Sequence, residues 1–453
     1  MGEKKRLVVI GGTAAGLSAA SKAKRLNPDL DCTVFEKTGY ISYGACGLPY
    51  FVGDMIREVD ALISVSASDM REKRGIEVLM RHDVVSIDRA KKEVTVHNLE
   101  TGERSVYGYD YLVIATGAVP IRPDFEGADA DGVCVLRTVE DGILLKRHAQ
   151  QSESACIIGG GFIGLEISEQ LASLGLHVTV FEALPRLLPF LPEAFSRIVA
   201  DELAAHGIEV LLGTSVSRVA TENGKAKAVC TANGHSVPCD TAVLAVGVRP
   251  AVALAKAADL ALGVKGSIVV DAQQRTSDPA IFACGDCAQT KHIVTGKAAY
   301  VPLGTVANKT GRTAGSVIGG EKASFPGVLG SMATKVFNCF IAATGLSFAD
   351  AKAFGFDAAE TAIERSDKAS YYPGGTPCRI NLVYDRKSGR LLGAQGIGSE
   401  SIAGKIDTLA ACISAEMTVM QVNDLDLVYT PSLAPVYDPV LIAASQAVKH
   451  VGA

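Results

Sequence analysis

The chain has 453 residues, 48% of them hydrophobic and 21% charged, with a formal net charge of −5. That length accommodates two or three domains with large cores. The mild acidity argues against nucleic acid or an anionic membrane surface as a partner. Eleven cysteines are scattered without the dense spacing of a disulfide scaffold, and the odd number favours reduced thiols in a reducing compartment.

At the N-terminus, Lys4-Lys5-Arg6 followed by the apolar residues 7–20 imitates a secretory leader. The same residues read better as a strand (6–10), a glycine turn and a helix start, which predicts a cytoplasmic protein. No run is long enough to span a bilayer. The turn is Gly11-Gly12-Thr13-Ala14-Ala15-Gly16, and the following strand ends at Glu36. A strand, a small-residue turn, a helix and an acid about 20 residues on form a βαβ dinucleotide unit. The small residues let backbone approach a pyrophosphate at the helix N-terminus, and Glu36 can accept bonds from ribose hydroxyls. Thr13 replaces the middle glycine of the fingerprint.

Next comes Ser42-Tyr43-Gly44-Ala45-Cys46-Gly47-Leu48-Pro49-Tyr50. A cysteine ahead of Gly-Leu-Pro can open a helix, whose positive N-terminus would lower the thiol pKa. The alternative for Cys46 is a buried structural thiol. Short β-patterned runs between 77 and 114 lead into the sharp turn Ala115-Thr116-Gly117, and Pro120, Pro123 and Gly127 suggest a domain boundary.

A second unit repeats the first. Gly159-Gly160-Gly161-Phe162-Ile163-Gly164 is a complete G-x-G-x-x-G, and the strand over 177–181 delivers Glu182. An acid at that place favours a free ribose 2′-OH and hence NADH over NADPH, with Arg186 nearby to moderate the preference. Gly247-Val248-Arg249-Pro250 turns the chain out of this unit. The apolar run over 281–284 then ends in Gly285-Asp286, which puts a carboxylate at a strand's C-terminal end, where ligands bind in open α/β sheets. A helix N-cap is the competing role for Asp286. Cys284 and Cys287 form a C-x-x-C without a second pair at zinc spacing, so no metal site is expected. A helix beginning within 301–309 could turn its N-terminal amides toward a flavin. Beyond Gly327 the pattern becomes β-rich, with a small-residue helix over 402–415 and two tyrosine clusters, around Tyr371 and Tyr429. No nucleotide fingerprint lies in this third part, so oligomerisation is its simplest role.

In this order, the two glycine turns, Ser42 to Tyr50, Ala115-Thr116-Gly117, Ala283-Cys284-Gly285-Asp286 and Gly304 to Lys309 resemble the FAD-dependent pyridine nucleotide–disulfide oxidoreductases over essentially the full length. The similarity is to the single-cysteine branch, which contains coenzyme A disulfide reductases, NADH-dependent persulfide or polysulfide reductases, NADH oxidases and NADH peroxidases. The resemblance implies an α/β protein: two Rossmann-like domains, for FAD (1–120 with 250–325) and NADH (121–249), and a C-terminal α+β dimerisation domain (326–453). It implies FAD contacts at Gly11, Thr13, Ala14, Ala15, Gly16, Glu36, Lys37 and Ser42. Further FAD contacts would fall at Val84, Ala115, Thr116, Gly117, Arg137, Asp286, Leu303 and Thr305. NADH, with NADPH a weaker possibility, would meet Gly159, Gly161, Phe162 in a gate position, Ile163, Gly164, Glu182 and Gly247.

The resemblance also implies that Cys46 is the redox centre and that Tyr371 and Tyr429 reach the partner subunit's cysteine in a homodimer. Coenzyme A phosphates would be held by Lys22, Arg25 and Arg74, with Ser42 beside them. Peroxidases and oxidases of the family typically carry a histidine where this chain has Ala14, which makes peroxide or oxygen reduction at Cys46 less attractive. The expected activity is therefore reduction of a small-molecule disulfide, coenzyme A disulfide first, or of a persulfide or polysulfide. An NADH oxidase and a flavin-bearing redox sensor or electron-transfer subunit are the rivals.

Overall fold

A computed structural model describes residues 4–452 of the chain. Arg6–Ile10 is the central strand of a five-stranded parallel sheet, flanked on one side by Asp31–Glu36 and then Glu77–Met80, and on the other by Tyr111–Ile114 and then Ile281–Ala283. Its residues Leu7, Val8, Val9 and Ile10 are all buried, as a strand covered on both faces requires. Ser154–Ile158 holds the same place in a second parallel sheet, between His177–Phe181 and Thr241–Leu244. The strand Ile281–Ala283 returns to the first sheet from far along the chain. The antiparallel pair Ala118–Pro120 and Val248–Pro250 carries the chain between the two sheets.

Two helices cross tightly over the first sheet because neither has bulk at the crossing. The helix Ala14–Leu26 presents Ala15 and Ala19, and the helix Gly304–Ile318 presents Gly311 and Gly315. An added Cβ at Gly311 would lie 2.2 Å from the Ala15 carbonyl oxygen, and one at Gly315 2.3 Å from that of Ala19. This crossing fixes the start of the second helix beside the first glycine turn.

The third layer is a five-stranded antiparallel sheet in the order Met332–Val336, Cys339–Gly345, Leu391–Gly398, Pro377–Asp385, Ala358–Ser366. The helices Ile402–Ser414 and Pro439–Val448 pack on it around one apolar core. Its first hairpin reaches the second parallel unit. Thr334 Oγ1 donates to Glu166, Lys335 Nζ and the Phe337 amide donate to Glu169, each at 2.8 Å, and the Phe337 ring stacks on His206 at 3.7 Å. Among the described residues no helix is long and apolar enough to cross a membrane.

Candidate active site

The two glycine turns have the same construction. Gly11 (φ +107°) and Gly159 (φ +113°) sit where a Cβ would come within 2.3 Å of the Ala115 oxygen and 2.5 Å of the Ala245 oxygen. At Gly16 and Gly164 a Cβ would lie 1.9 Å from the carbonyl oxygens of Gly11 and Gly159. The acids close the two loops alike. Glu36 accepts from the Gly12 amide (2.7 Å) and the Thr38 amide (2.8 Å), and Glu182 from the amides of Gly160 and Leu184 (2.8 Å each).

In front of each turn a helix begins, at Ala14 and at Phe162, with no side-chain cap. The first N–H groups of those helices therefore point at open space, the arrangement that receives phosphate. Gly161 faces that space, since a Cβ there would meet nothing within 4 Å. The residues present thus fit two dinucleotides. Two buried polar atoms near the first turn, Tyr300 Oη and Glu140 Oε2, have no hydrogen-bond partner.

Around the first turn, Asp286 is not a helix cap. It lies within the short 3₁₀ turn Gly285–Cys287 and pairs with Arg137 at 2.8 Å. Gly117 (φ +71°) lies beside that guanidinium and Gly247 (φ +104°) takes the same left-handed backbone. Thr116 Oγ1 donates to the Ala251 carbonyl, and Ala115 is buried where it closes on Gly11. Lys37 pairs with Asp83 at 2.9 Å. Val84 is a core residue, so only its backbone is free to meet a nucleotide. Leu303 and Thr305 line a separate cavity of about 480 Å³ facing the third sheet. Phe162 packs against Phe190 with ring centroids 5.6 Å apart, and Ile163 is exposed at the helix start.

The cysteines sort themselves sharply. All eleven are free, ten are buried, and Cys46 is exposed. The C-x-x-C does not form a dithiol face. Cys284 belongs to the core on one side of the first sheet and Cys287 to the core on the other, its thiol donating to the carbonyls of Ile114 and Cys284 at 3.3 Å.

One expectation for Cys46 is corrected. Its stretch opens as a 3₁₀ turn, Ala45–Gly47, followed by a helix of only five residues, Leu48–Val52, whose dipole is short. Solvent reaches the thiol, yet the surrounding walls of the cleft raise its pKa. The Glu166 carboxylate adds to the rise and Arg137 partly opposes it. The thiol therefore stands above its ordinary value instead of below it.

Cations and hydroxyls meet around Ser42, four residues before Cys46 in the chain. A cavity of about 420 Å³ is lined by Thr13, Ala14, Ser42, Lys22, Arg25 and Arg74, and also by Ser21, Asn308 and Arg312. Lys22 is paired with Glu321 at 2.8 Å and Arg74 donates to Ser21 at 3.0 Å. Sequence reasoning missed Asn308 and Arg312. Their spacing of four residues on one helix face was the available signal. The two singled-out tyrosines, 58 residues apart, are brought together: Tyr371 Oη and Tyr429 Oη lie 3.0 Å apart on an exposed rim of the third layer.

Comparison with known proteins agrees with this construction. Residues 5–309 match the pyridine nucleotide-disulphide oxidoreductase model, and residues 331–439 match that family's dimerisation domain. A Pyrococcus abyssi protein named NAD(P)H sulfur oxidoreductase (CoA-dependent) is 36% identical, covering 97% of this chain and 98% of its own. An NADH oxidase of Methanocaldococcus jannaschii is 33% identical, covering 98% and 99%. The structure of an NAD-dependent persulfide reductase from A. fulgidus superposes with a TM-score of 0.95 at 39% identity, covering 98% of this chain and 83% of that one.

Proposed function

The chain belongs to the pyridine nucleotide-disulphide oxidoreductase family, and on that premise we propose that it uses NADH to reduce a disulfide or persulfide at Cys46, with coenzyme A disulfide the first substrate. The observation that carries this reading is the single solvent-reached thiol of eleven, four residues from Ser42 on the wall of a cavity that also holds Lys22, Arg25, Arg74 and Arg312. Four cations in so small a space suit a substrate with several phosphates, and arginine forks suit phosphate oxygens in particular.

FAD in the first cradle and NADH in the second supply, when bound, a two-electron path from nicotinamide toward sulfur. The amides of residues 13–16 would hold the FAD pyrophosphate, Glu36 a ribose, and Asp286 with Arg137 the chain between ribose and flavin. The Gly159 to Gly164 turn would hold NADH, with Phe162 moving aside to admit it. Both oxygens of Glu182 face backbone amides of the second cradle, and a negative group there repels a 2′-phosphate. Arg186 donates to the Pro189 carbonyl. NADH is accordingly favoured over NADPH.

We further infer a homodimer. The third layer exposes Tyr371, Val428, Leu433, Val436 and Tyr437, each more than half accessible, large apolar groups that a second copy would cover. In that assembly Tyr371 and Tyr429 would meet the partner's thiol. Ten buried free thiols accord with a cytoplasmic setting.

The test is chemical. Native protein should carry coenzyme A mass on the Cys46 peptide, released by reductant, and Cys46→Ser should abolish disulfide turnover while retaining bound flavin. Undiminished turnover by that variant would end the reading, and oxygen uptake exceeding disulfide reduction at limiting NADH would favour an oxidase instead.

A further inference from the structure

The segment that carries Cys46 is fastened at its two ends by different means. Upstream, Ser42 has left-handed backbone (φ +49°); its amide donates to the Gly12 carbonyl at 3.0 Å and its carbonyl accepts from the Ser64 amide at 2.8 Å. Gly44 donates to the Leu62 carbonyl at 2.9 Å. These backbone bonds tie the start of the segment to the first glycine turn. Downstream, the helix Leu48–Val52 runs into Gly53 and then Asp54, a second non-glycine residue with left-handed backbone (φ +60°). A helix that short does not hold in water unaided, and a left-handed residue with a Cβ persists only where its surroundings impose it.

One side chain supplies that constraint. Lys146 Nζ lies 2.6 Å from the Asp54 carboxylate, donates to the Arg57 carbonyl at 3.4 Å, and stands 4.2 Å over the centre of the Phe51 ring. All three contacts of the ammonium thus fall on residues 51–57. Among the described residues, no other side chain makes a hydrogen bond or ion pair with residues 45–57. The Lys146 side chain is 14% exposed, so water screens it far less than a surface lysine.

The helix that carries Lys146, Val139–Ala149, is itself fixed to the first cradle. A capping box joins Thr138 and Asp141, Asp141 also accepts from the Arg137 amide at 3.0 Å, and the Arg137 side chain pairs with Asp286. One turn before Lys146, an added Cβ at Gly142 would lie 3.0 Å from Leu48 Cδ2, so the two helices touch there. Leu48, Phe51 and Val52 share an apolar core with Val139 and Leu145. Apolar contact holds the short helix against its neighbour without fixing its rotation; the directional contacts of Lys146 do fix it. We propose that Lys146 is a positioning residue for Cys46: it locks the turn at Asp54 and, through the short helix, sets where the thiol stands against the first cradle. This proposal rests on Cys46 being the reacting thiol.

The test uses holoenzyme treated with a mild reductant that frees Cys46 and leaves the flavin oxidised. A thiolate in contact with oxidised flavin gives a long-wavelength absorbance. Its plateau at high pH reports the contact, and its midpoint reports the pKa of the thiol. Lys146→Met should lower the plateau per flavin about twofold or more with the midpoint unmoved. It should also speed amide hydrogen exchange in the peptide 46–57 about 10-fold or more, while peptides of the first sheet exchange as in the parent. Lys146→Arg, which keeps the charge, should recover both. A parental plateau or parental exchange of 46–57 in Lys146→Met overturns the proposal, even if the melting temperature falls. Should that variant fail to bind flavin, Asp54→Asn serves, since asparagine tolerates left-handed backbone; it must show the same two losses, and parental values count against the proposal. Cys46→Ser is measured alongside. If the band survives in it, the thiol reading itself has failed; if the band is gone, a parental result in Lys146→Met belongs to Lys146 alone.

Discussion

Replacing Gly161 by alanine separates what the fold needs from what a dinucleotide needs. Gly161 has φ −83° and ψ −174°, a conformation open to any residue, and its added Cβ meets nothing within 4 Å. As the residue preceding the helix it loses about 0.5–1 kcal/mol as alanine, offset by about 0.4–1 kcal/mol from the stiffer unfolded chain. The melting temperature should therefore stay within about 2–3 °C. The methyl would, however, occupy the space left for a phosphate backbone, where overpacking costs about 1–3 kcal/mol, or about 5- to 150-fold in Kd. Gly164→Ala is the contrasting control. Its methyl would sit 1.9 Å from the Gly159 oxygen, so that variant should lose stability as well as NADH. Titration of NADH by fluorescence quenching, with calorimetry on the same samples, measures both quantities. An NADH Kd unchanged within twofold in a fully stable Gly161→Ala protein would refute the placement of the nucleotide at this turn.

Other outcomes follow from side chains farther out. Arg312→Gln should raise KM for coenzyme A disulfide about 10-fold or more, by loss of a charge-assisted bond of about 1.5–3 kcal/mol, and leave KM for a small uncharged disulfide unchanged in the same steady-state assay. Lys405 and Asp438 form a buried pair at 2.6 Å, so Lys405→Met should destabilise by about 3–5 kcal/mol in urea unfolding, and adding Asp438→Asn should recover much of the loss. Burial alone would raise Asp367, but hydrogen bonds from Ser399 and Thr376 outweigh it and hold the carboxyl below its ordinary value. Its folded pKa being the lower one, its contribution is complete above the unfolded value near 3.9 and disappears as pH falls through the folded value. Asp367→Asn should accordingly flatten the acid limb of stability against pH, most visibly below about pH 4.

Much of this molecule was legible because its main devices are local. A glycine turn needs small residues at fixed steps, and an acid at the end of the next strand closes it, so Gly11 to Glu36 and Gly159 to Glu182 could be read from spacing alone. Cys46 stood out through its own neighbours. What was not legible depends on burial and on distant elements. The thiol's raised pKa comes from the walls of a cleft and from a helix more than a hundred residues away. Arg312 enters the cationic cavity only because Gly311 and Gly315 allow its helix to lie across Ala15 and Ala19. Sequence alone shows Cys284 and Cys287 as a C-x-x-C, whereas the 3₁₀ turn Gly285–Cys287 that follows the strand sends their thiols into the cores on opposite sides of one sheet. Lys146 was silent in the sequence, since its partners Phe51, Asp54 and Arg57 lie in a segment far back along the chain.

The division of the cysteines into ten hidden and one accessible makes the native protein its own active-site counter. After mild reduction has freed Cys46 of any mixed disulfide, a maleimide dye applied without denaturant should incorporate one label per chain, and the same dye in strong denaturant and reductant should find eleven. The native count reports the fraction of intact centres in any preparation before turnover is measured, and a count above one label per chain marks chains whose interiors have opened.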